Sequence, residues 1–197
     1  MSEQSPKIRV SKLDAACRQL RTAITLWFTG GDPIAIHTLA FAAYEVLHHL
    51  SKKRDPFRRD LIFDTDHIKV EHLGDWNKLI RRHANFFKHA DRDGDSVIEF
   101  DQSLNEFFMM FAALARGLCG EPQSDEESIF MWWLMIHKPH ILTDHGRQNV
   151  AQAFPGDNFD EVRGLSKREF FEASIETRAR ARQGRTNFCR SFPLEIN

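Results

Sequence analysis

With 197 residues, 42% of them hydrophobic, the chain is long enough for one sizeable core, and its length argues for one domain or one domain with an appendage. Lys plus Arg (27) nearly cancel Asp plus Glu (28), which excludes a protein-wide field favouring nucleic acid or anionic membrane and leaves any such binding to local clusters. Cys17, Cys119 and Cys189 are odd in number and far apart, which fits neither a disulfide framework nor a closed zinc site and points to a reducing compartment.

The opening MSEQSPKIRV has no apolar run of signal-peptide length, and no segment approaches about eighteen uncharged apolar residues. The expectation is a soluble cytoplasmic protein with no membrane contact. From Ser11, the positions Leu13, Ala16, Cys17, Leu20, Ala23, Ile24, Trp27 and Phe28 recur every three or four residues, predicting a helix with one buried stripe, and Ser11 with Asp14 makes a capping box. Gly30-Gly31 ends it. Asp32-Pro33 starts a second helix, PIAIHTLAFAAYEVLHHL, apolar on nearly all faces and so expected at the centre, antiparallel to the first across the short connection.

The basic stretch Ser51 to Asp60 reads as a solvated loop, with a basic surface patch as the functional alternative, and LIFDTDHIKVEHLGD is ambiguous between a strand and a helical turn. Asp75 is placed to cap a third helix through about His89, with Trp76, Leu79, Ile80, Phe86 and Phe87 inward. Ser103 and Glu106 mark a fourth, with the stripe Leu104, Phe107, Phe108, Phe111, Leu114, Ala115 and Leu118. Ser124 with Glu127 opens a fifth, ESIFMWWLMIHK, whose aromatic density calls for burial or a protein partner. A short helix follows around Gln148 to Phe154, and Ser166 with Glu169 opens the last, which runs into the basic series Arg178, Arg180, Arg182 and Arg185. That series reads as a solvated helix end favoured by the helix dipole, or as an arm contacting RNA phosphates. The pattern predicts an all-α protein: a four-helix up-down bundle over residues 1–120 and a helical extension over 121–197 packed on it, with a basic tail.

The densest polar chemistry lies between Arg81 and Gln102, RRHANFFKHADRDGDSVIEFDQ, and two readings compete for it. An Arg and a His on adjoining helical turns, here Arg82 and His89, can cleave RNA without metal. The guanidinium holds a phosphate through its fork of donors, and an imidazole, which titrates near neutrality, exchanges protons with the 2'-hydroxyl or the leaving oxygen. Alternatively, Asp91, Asp93, Asp95 and Glu99 fall at positions 1, 3, 5 and 9 of a calcium loop. In that frame position 6 is Ser96 where Gly belongs and position 12 is Gln102 where a bidentate Glu belongs, so weak calcium affinity or none is expected.

With a helical bundle around it, the sequence RHANFFKH resembles the HEPN superfamily, in which an Arg, four to six residues and a His mark metal-independent ribonucleases of toxin, defence and RNA-processing systems. The helix AFAAYEVLHHL ahead of the motif is similar to one that the superfamily commonly carries, and the resemblance covers roughly residues 11 to 118. It implies phosphate binding by Arg82, acid/base work by His89, and substrate contacts by His83, Asn85 and Lys88, with no cofactor. It further implies a homodimer that joins two motifs into a composite site. Many members of the superfamily are inactive, so a non-catalytic module that binds a protein partner through FMWWLM is the alternative.

Glu45 and His48 form a single Glu-x-x-His, half of a di-iron motif, and one copy predicts a buried polar network instead. His137, His140 and His145 lack a further ligand at zinc spacing and read as surface residues. A Gly-rich phosphate loop, a Gly-x-Ser-x-Gly elbow and HExxH are all missing from the sequence, so the common nucleotide, hydrolase and metalloprotease classes lose their usual evidence.

Overall fold

α1 (Lys12–Thr29) starts where Ser11 and Asp14 satisfy each other's free groups, Asp14 N–H donating to Ser11 Oγ at 3.0 Å and Ser11 N–H to Asp14 Oδ2 at 3.1 Å. The hydrogen bond from the Ser11 hydroxyl, first, holds the Asp14 carboxyl below its usual range. The computed structural model describes residues 7–57, 61–89, 94–153 and 158–182, and every regular element among them is helical: eight α-helices and three single 3₁₀ turns. Among the described residues no helix is long and apolar enough to cross a membrane.

The stop after α1 uses Gly30 at φ +77°, where a Cβ would touch nothing. Gly30→Ala is therefore expected to cost about 1–2 kcal/mol from the left-handed backbone alone, read as a lower urea midpoint at unchanged slope.

α2 (Pro33–Arg54) opens with Asp32 Oδ1 accepting from Ala35 N–H at 2.9 Å and Pro33 at the first turn. It runs four residues beyond Leu50, which corrects the loop expected from Ser51 onward. Ser51 is buried with its hydroxyl donating to the His48 carbonyl at 2.9 Å, and Lys52 pairs with Asp64 at 2.5 Å. The ambiguous stretch that follows contains no strand, only 3₁₀ turns at Ile62–Asp64 and Val70–His72.

α3 (Leu73–Phe86) begins before Asp75, which does not cap it but pairs with Lys78 at 3.0 Å inside the first turn. Leu79, expected inward, is 59% exposed, because Trp76, Ile80 and Ala84 already occupy the inner face. α4 (Leu104–Leu118) also departs from its expected start. Asp101 Oδ1 takes the Ser103 N–H at 2.9 Å, Ser103 adopts helical backbone, and no Ser103–Glu106 box forms. Its buried face is Asn105, Phe108, Met109, Ala112, Ala113 and Ala115, while Phe107, Phe111 and Leu114 are half-buried.

The described residues form two compact units, one comprising residues up to Trp27 with Gly31–Gln123, the other Phe28–Gly30 with the residues from Ser124 onward. In the first unit α2 packs chiefly on α4, not on α1 as the short connection suggested. These two helices run parallel: His37 lies beside Asn105, the rings of Phe41 and Phe108 are 5.0 Å apart, and the Cys119 thiol reaches the Leu47 carbonyl at 3.6 Å. Ala40, Ala43, Ala112 and Ala113 are fully buried, so small side chains line both helices of this pair. α3 runs antiparallel to α2, pairing Arg81 with Glu45 and setting His83 and Phe87 against the ring of His37.

In the second unit, α5 (Asp125–His137) carries the expected Ser124–Glu127 capping box, and α6 (Asp144–Ala153) overlaps the short helix expected around Gln148 to Phe154 and starts earlier. α7 (Asn158–Gly164) is a further helix that was not expected, and α8 (Lys167–Arg182) begins with the Ser166–Glu169 box. Phe28, Phe130, Trp133, Phe170 and Phe171 make its aromatic core, with Phe28 stacked on Phe171 at 4.7 Å. His137, contrary to expectation, is not a surface residue: it stacks on Trp133 at 3.5 Å and its Nε2 is buried. Nor does the basic series of α8 project free charge, because Arg178 (3.4 Å) and Arg182 both pair with Asp125, and Arg180 pairs with Glu176. Arg185 lies outside the described residues.

Candidate functional site at the end of the third helix

Four contacts set the rotation of α3. Trp76 Nε1 donates to the Ile62 carbonyl at 2.8 Å and Asn77 Nδ2 to the Phe63 carbonyl at 2.9 Å, so two consecutive residues grip the 3₁₀ turn. One turn on, Arg81 pairs with Glu45 of α2 and lays its guanidinium over the Phe63 ring at 4.1 Å. The same corner is held by Tyr44, whose hydroxyl accepts from Ile62 N–H at 2.7 Å and lies 3.4 Å from His48 Nδ1. Burial pushes the Tyr44 phenol up and the His48 imidazole down from their ordinary values. Glu45 and His48 are thus engaged by Arg81 and Tyr44, as a polar network requires.

With that side of α3 turned inward, the remaining geometry follows from 3.6 residues per turn. Lys78, Arg82, Asn85 and His89 project within about 60° of one another on the outer side. All four are exposed. His89 stands three residues past the helix, yet its N–H still reaches the Asn85 carbonyl at 3.1 Å and Phe87 N–H the His83 carbonyl at 3.0 Å, so the helical register continues to it. Seven residues at helical rise separate the Arg82 and His89 backbones by about 10 Å, a gap that a long Arg side chain spans in large part.

By helical register Arg82, Asn85 and His89 fall on one exposed side of α3 and its continuation, whereas His83 turns away from them. His83 turns inward, its Nε2 3.2 Å from the Glu99 carbonyl and its ring 5.3 Å from Phe100, so it ties the connection before α4 to α3. Lys88 is exposed, with its ammonium 5.3 Å from the Phe41 ring centre. Of the calcium reading, Asp91 and Asp93 lie outside the described residues, and Asp95 and Glu99 are exposed. Among the described residues no group of three or more His, Cys, Asp or Glu could hold a metal ion.

Sequence reading missed the polar centre beneath this face. His37 is fully buried, its Nδ1 3.1 Å from Asn105 Oδ1, while Asn105 Nδ2 donates to the Pro33 carbonyl at 3.0 Å. Because the amide nitrogen is already committed to Pro33, Oδ1 is the acceptor and the His37 proton sits on Nδ1. Nε2 is left as a buried acceptor with no partner. Burial, first, lowers the imidazole from 6.5 to about 4, against the Asn105 hydrogen bond, which raises it. Only the apolar character of α2 hinted that its histidine would be internal.

No protein-family model, curated protein or solved structure compared with the chain matches it.

Proposed function

We propose that this chain is an HEPN-like protein with a four-helix bundle, acting as a metal-independent endoribonuclease of toxin or defence type. The observation that carries the reading is the exposure of Arg82, Asn85 and His89, which helical register sets on one side of an α3 whose rotation is fixed by the contacts of Trp76, Asn77 and Arg81. Arg82 holds the phosphodiester through two guanidinium donors. Asn85, midway, orients the substrate. His89 exchanges the proton of the 2'-hydroxyl, which attacks phosphorus and expels the 5'-oxygen to leave a 2',3'-cyclic phosphate. Two protomers facing each other would supply a second Arg82–His89 set to a composite site, which light scattering on the purified protein reads as a dimer.

The deciding experiment incubates total RNA with the purified protein or with His89→Ala, both in the presence of a chelator. The wild-type protein degrades RNA with chelator present, and His89→Ala is slower by about 10²-fold or more, the usual worth of a positioned acid/base. Equal RNA integrity in both would overturn the catalytic reading in favour of a non-catalytic interaction module. In the α5 version of that module Phe130, Trp133 and Leu134 are buried in their own unit, and a partner would meet the half-buried Met131, Trp132 and Met135.

A further inference from the structure

We propose that His37 is an acid-sensitive latch: its protonation releases the end of α3 and the segment before α4 from α2, withdrawing the support beneath the Arg82–His89 face while the rest of the fold persists. The latch is a different device from the chemistry proposed above and does not depend on it, although it would regulate the same face.

His37 stands at a crossing of four elements. It meets its own α2 through Phe41, α3 and its end through His83 and Phe87 at 6.1 and 5.6 Å, the connecting segment through Phe100 at 5.0 Å, and α4 through Phe108 at 5.2 Å. In the tautomer set by Asn105, a second proton must go to Nε2. That atom is buried with no hydrogen-bond partner, and the phenylalanine rings around His37 offer only π systems, which accept more weakly than water does.

The charged groups facing it add to the cost. From α3 comes His83 and from the turn just past it Lys88, both basic and both disfavouring an imidazolium at His37. α4 presents the neutral Asn105 and Phe108. The connecting segment carries Glu99 and Asp101, both exposed. Asp101 interacts with His83, and neither carboxylate acts on His37 among the described residues. Asp32, at the start of α2, is occupied with the Ala35 N–H.

A histidine whose closed-state value lies near 4 and whose open-state value lies near 6.5 is neutral in both forms above 6.5, so the latch is fully favoured there. As pH falls from 6.5 towards 4 the open form gains protons that the closed form refuses, and at pH 5 closing is weakened by about thirtyfold.

The test is amide hydrogen exchange on the full-length protein between pH 7.5 and 4.5, with rates corrected for intrinsic pH dependence. Protection of residues 83–89 and 97–103 is expected to fall reversibly below about pH 5.5, while α5 and the middle of α2 stay protected. The double variant His37→Phe/Asn105→Leu removes both partners together and should hold the junction closed throughout. A second variant, Asn105→Asp, sets a carboxylate on Nδ1, favours the imidazolium inside the closed form, and should move the opening to lower pH. Protection unchanged to pH 4.5 overturns the proposal, as does global unfolding in a single step. So does an opening at the same pH in a folded variant of either kind, which would assign the acid response to another group.

Discussion

Phe108→Ala should lower the stability of the first unit by about 3–5 kcal/mol, the usual loss for a large aromatic truncated inside a core. Phe108 is 1% exposed, and its ring lies 5.0 Å from Phe41, 5.2 Å from His37 and 6.1 Å from Tyr44. It sits on the seam where α2 and α4 run parallel, and the backbones of both helices constrain how far the walls of the hole can relax. A domain with about 5–15 kcal/mol to lose would be brought close to its threshold. Urea unfolding followed by tryptophan fluorescence should show a lowered midpoint with unchanged slope. The neighbouring Phe107→Ala supplies the contrast, since Phe107 is half-buried and its main ring partner, Phe111, is half-buried too. Its loss should be no more than about half as large, because less apolar surface returns to water.

That contrast also marks where sequence periodicity stops. A 3.6-residue pattern identified α4 as amphipathic, but it ranked Phe107 and Phe111 with Phe108 because all three are large and apolar. The partner helix decides otherwise. α2 brings alanines to the seam, so α4 turns Asn105, Met109, Ala112 and Ala113 inward and leaves the two bulkier rings at the rim. Local signals fared better where the physics is local. The boxes at Ser11, Ser124 and Ser166 and the Asp32-Pro33 start all form, since each is closed within three residues. Ser103 failed for a reason equally local but one step earlier: Asp101 had already claimed its N–H. α2 overran its expected end because Lys52 finds Asp64 through the fold, a partner that spacing along the chain cannot reveal.

The site divides in the same way. That Arg82 and His89 stand on one side of a helix was legible, because positions i and i+7 nearly coincide on any helix. Which way the face points was not. It depends on Arg81 pairing with Glu45 and on Trp76 and Asn77 gripping Ile62 and Phe63, partners 14 to 36 residues apart in sequence. His83 shows the cost of that blindness. Placed by the motif among the substrate-binding residues, it faces the Glu99 carbonyl and the ring of Phe100 in the fold. His37 and Asn105, 68 residues apart, could not have been paired from the sequence at all.

The two adjacent arginines should therefore part company completely. Arg82→Ala is expected to leave the fold intact, since the side chain is exposed, and, on the ribonuclease proposal, to slow RNA cleavage by about 10²–10³-fold, the scale of one charge-stabilising donor removed from a transition state. Arg82→Lys should recover little of this, because an ammonium is a point charge without the bidentate fork that orients a phosphate. Arg82→Ala should also flatten the log–log salt dependence of RNA binding by about 0.7, the share of one neutralised phosphate on a single strand, whereas Arg82→Lys keeps the charge and most of the slope. Arg81→Ala should do the reverse. It frees the half-buried Glu45 from its partner and uncovers the Phe63 ring, so the thermal midpoint falls, while the molecules that remain folded keep their salt slope. Measured side by side on one RNA substrate, cleavage that persists in folded Arg82→Ala would remove this face from the chemistry, whatever Arg81→Ala does to the fold.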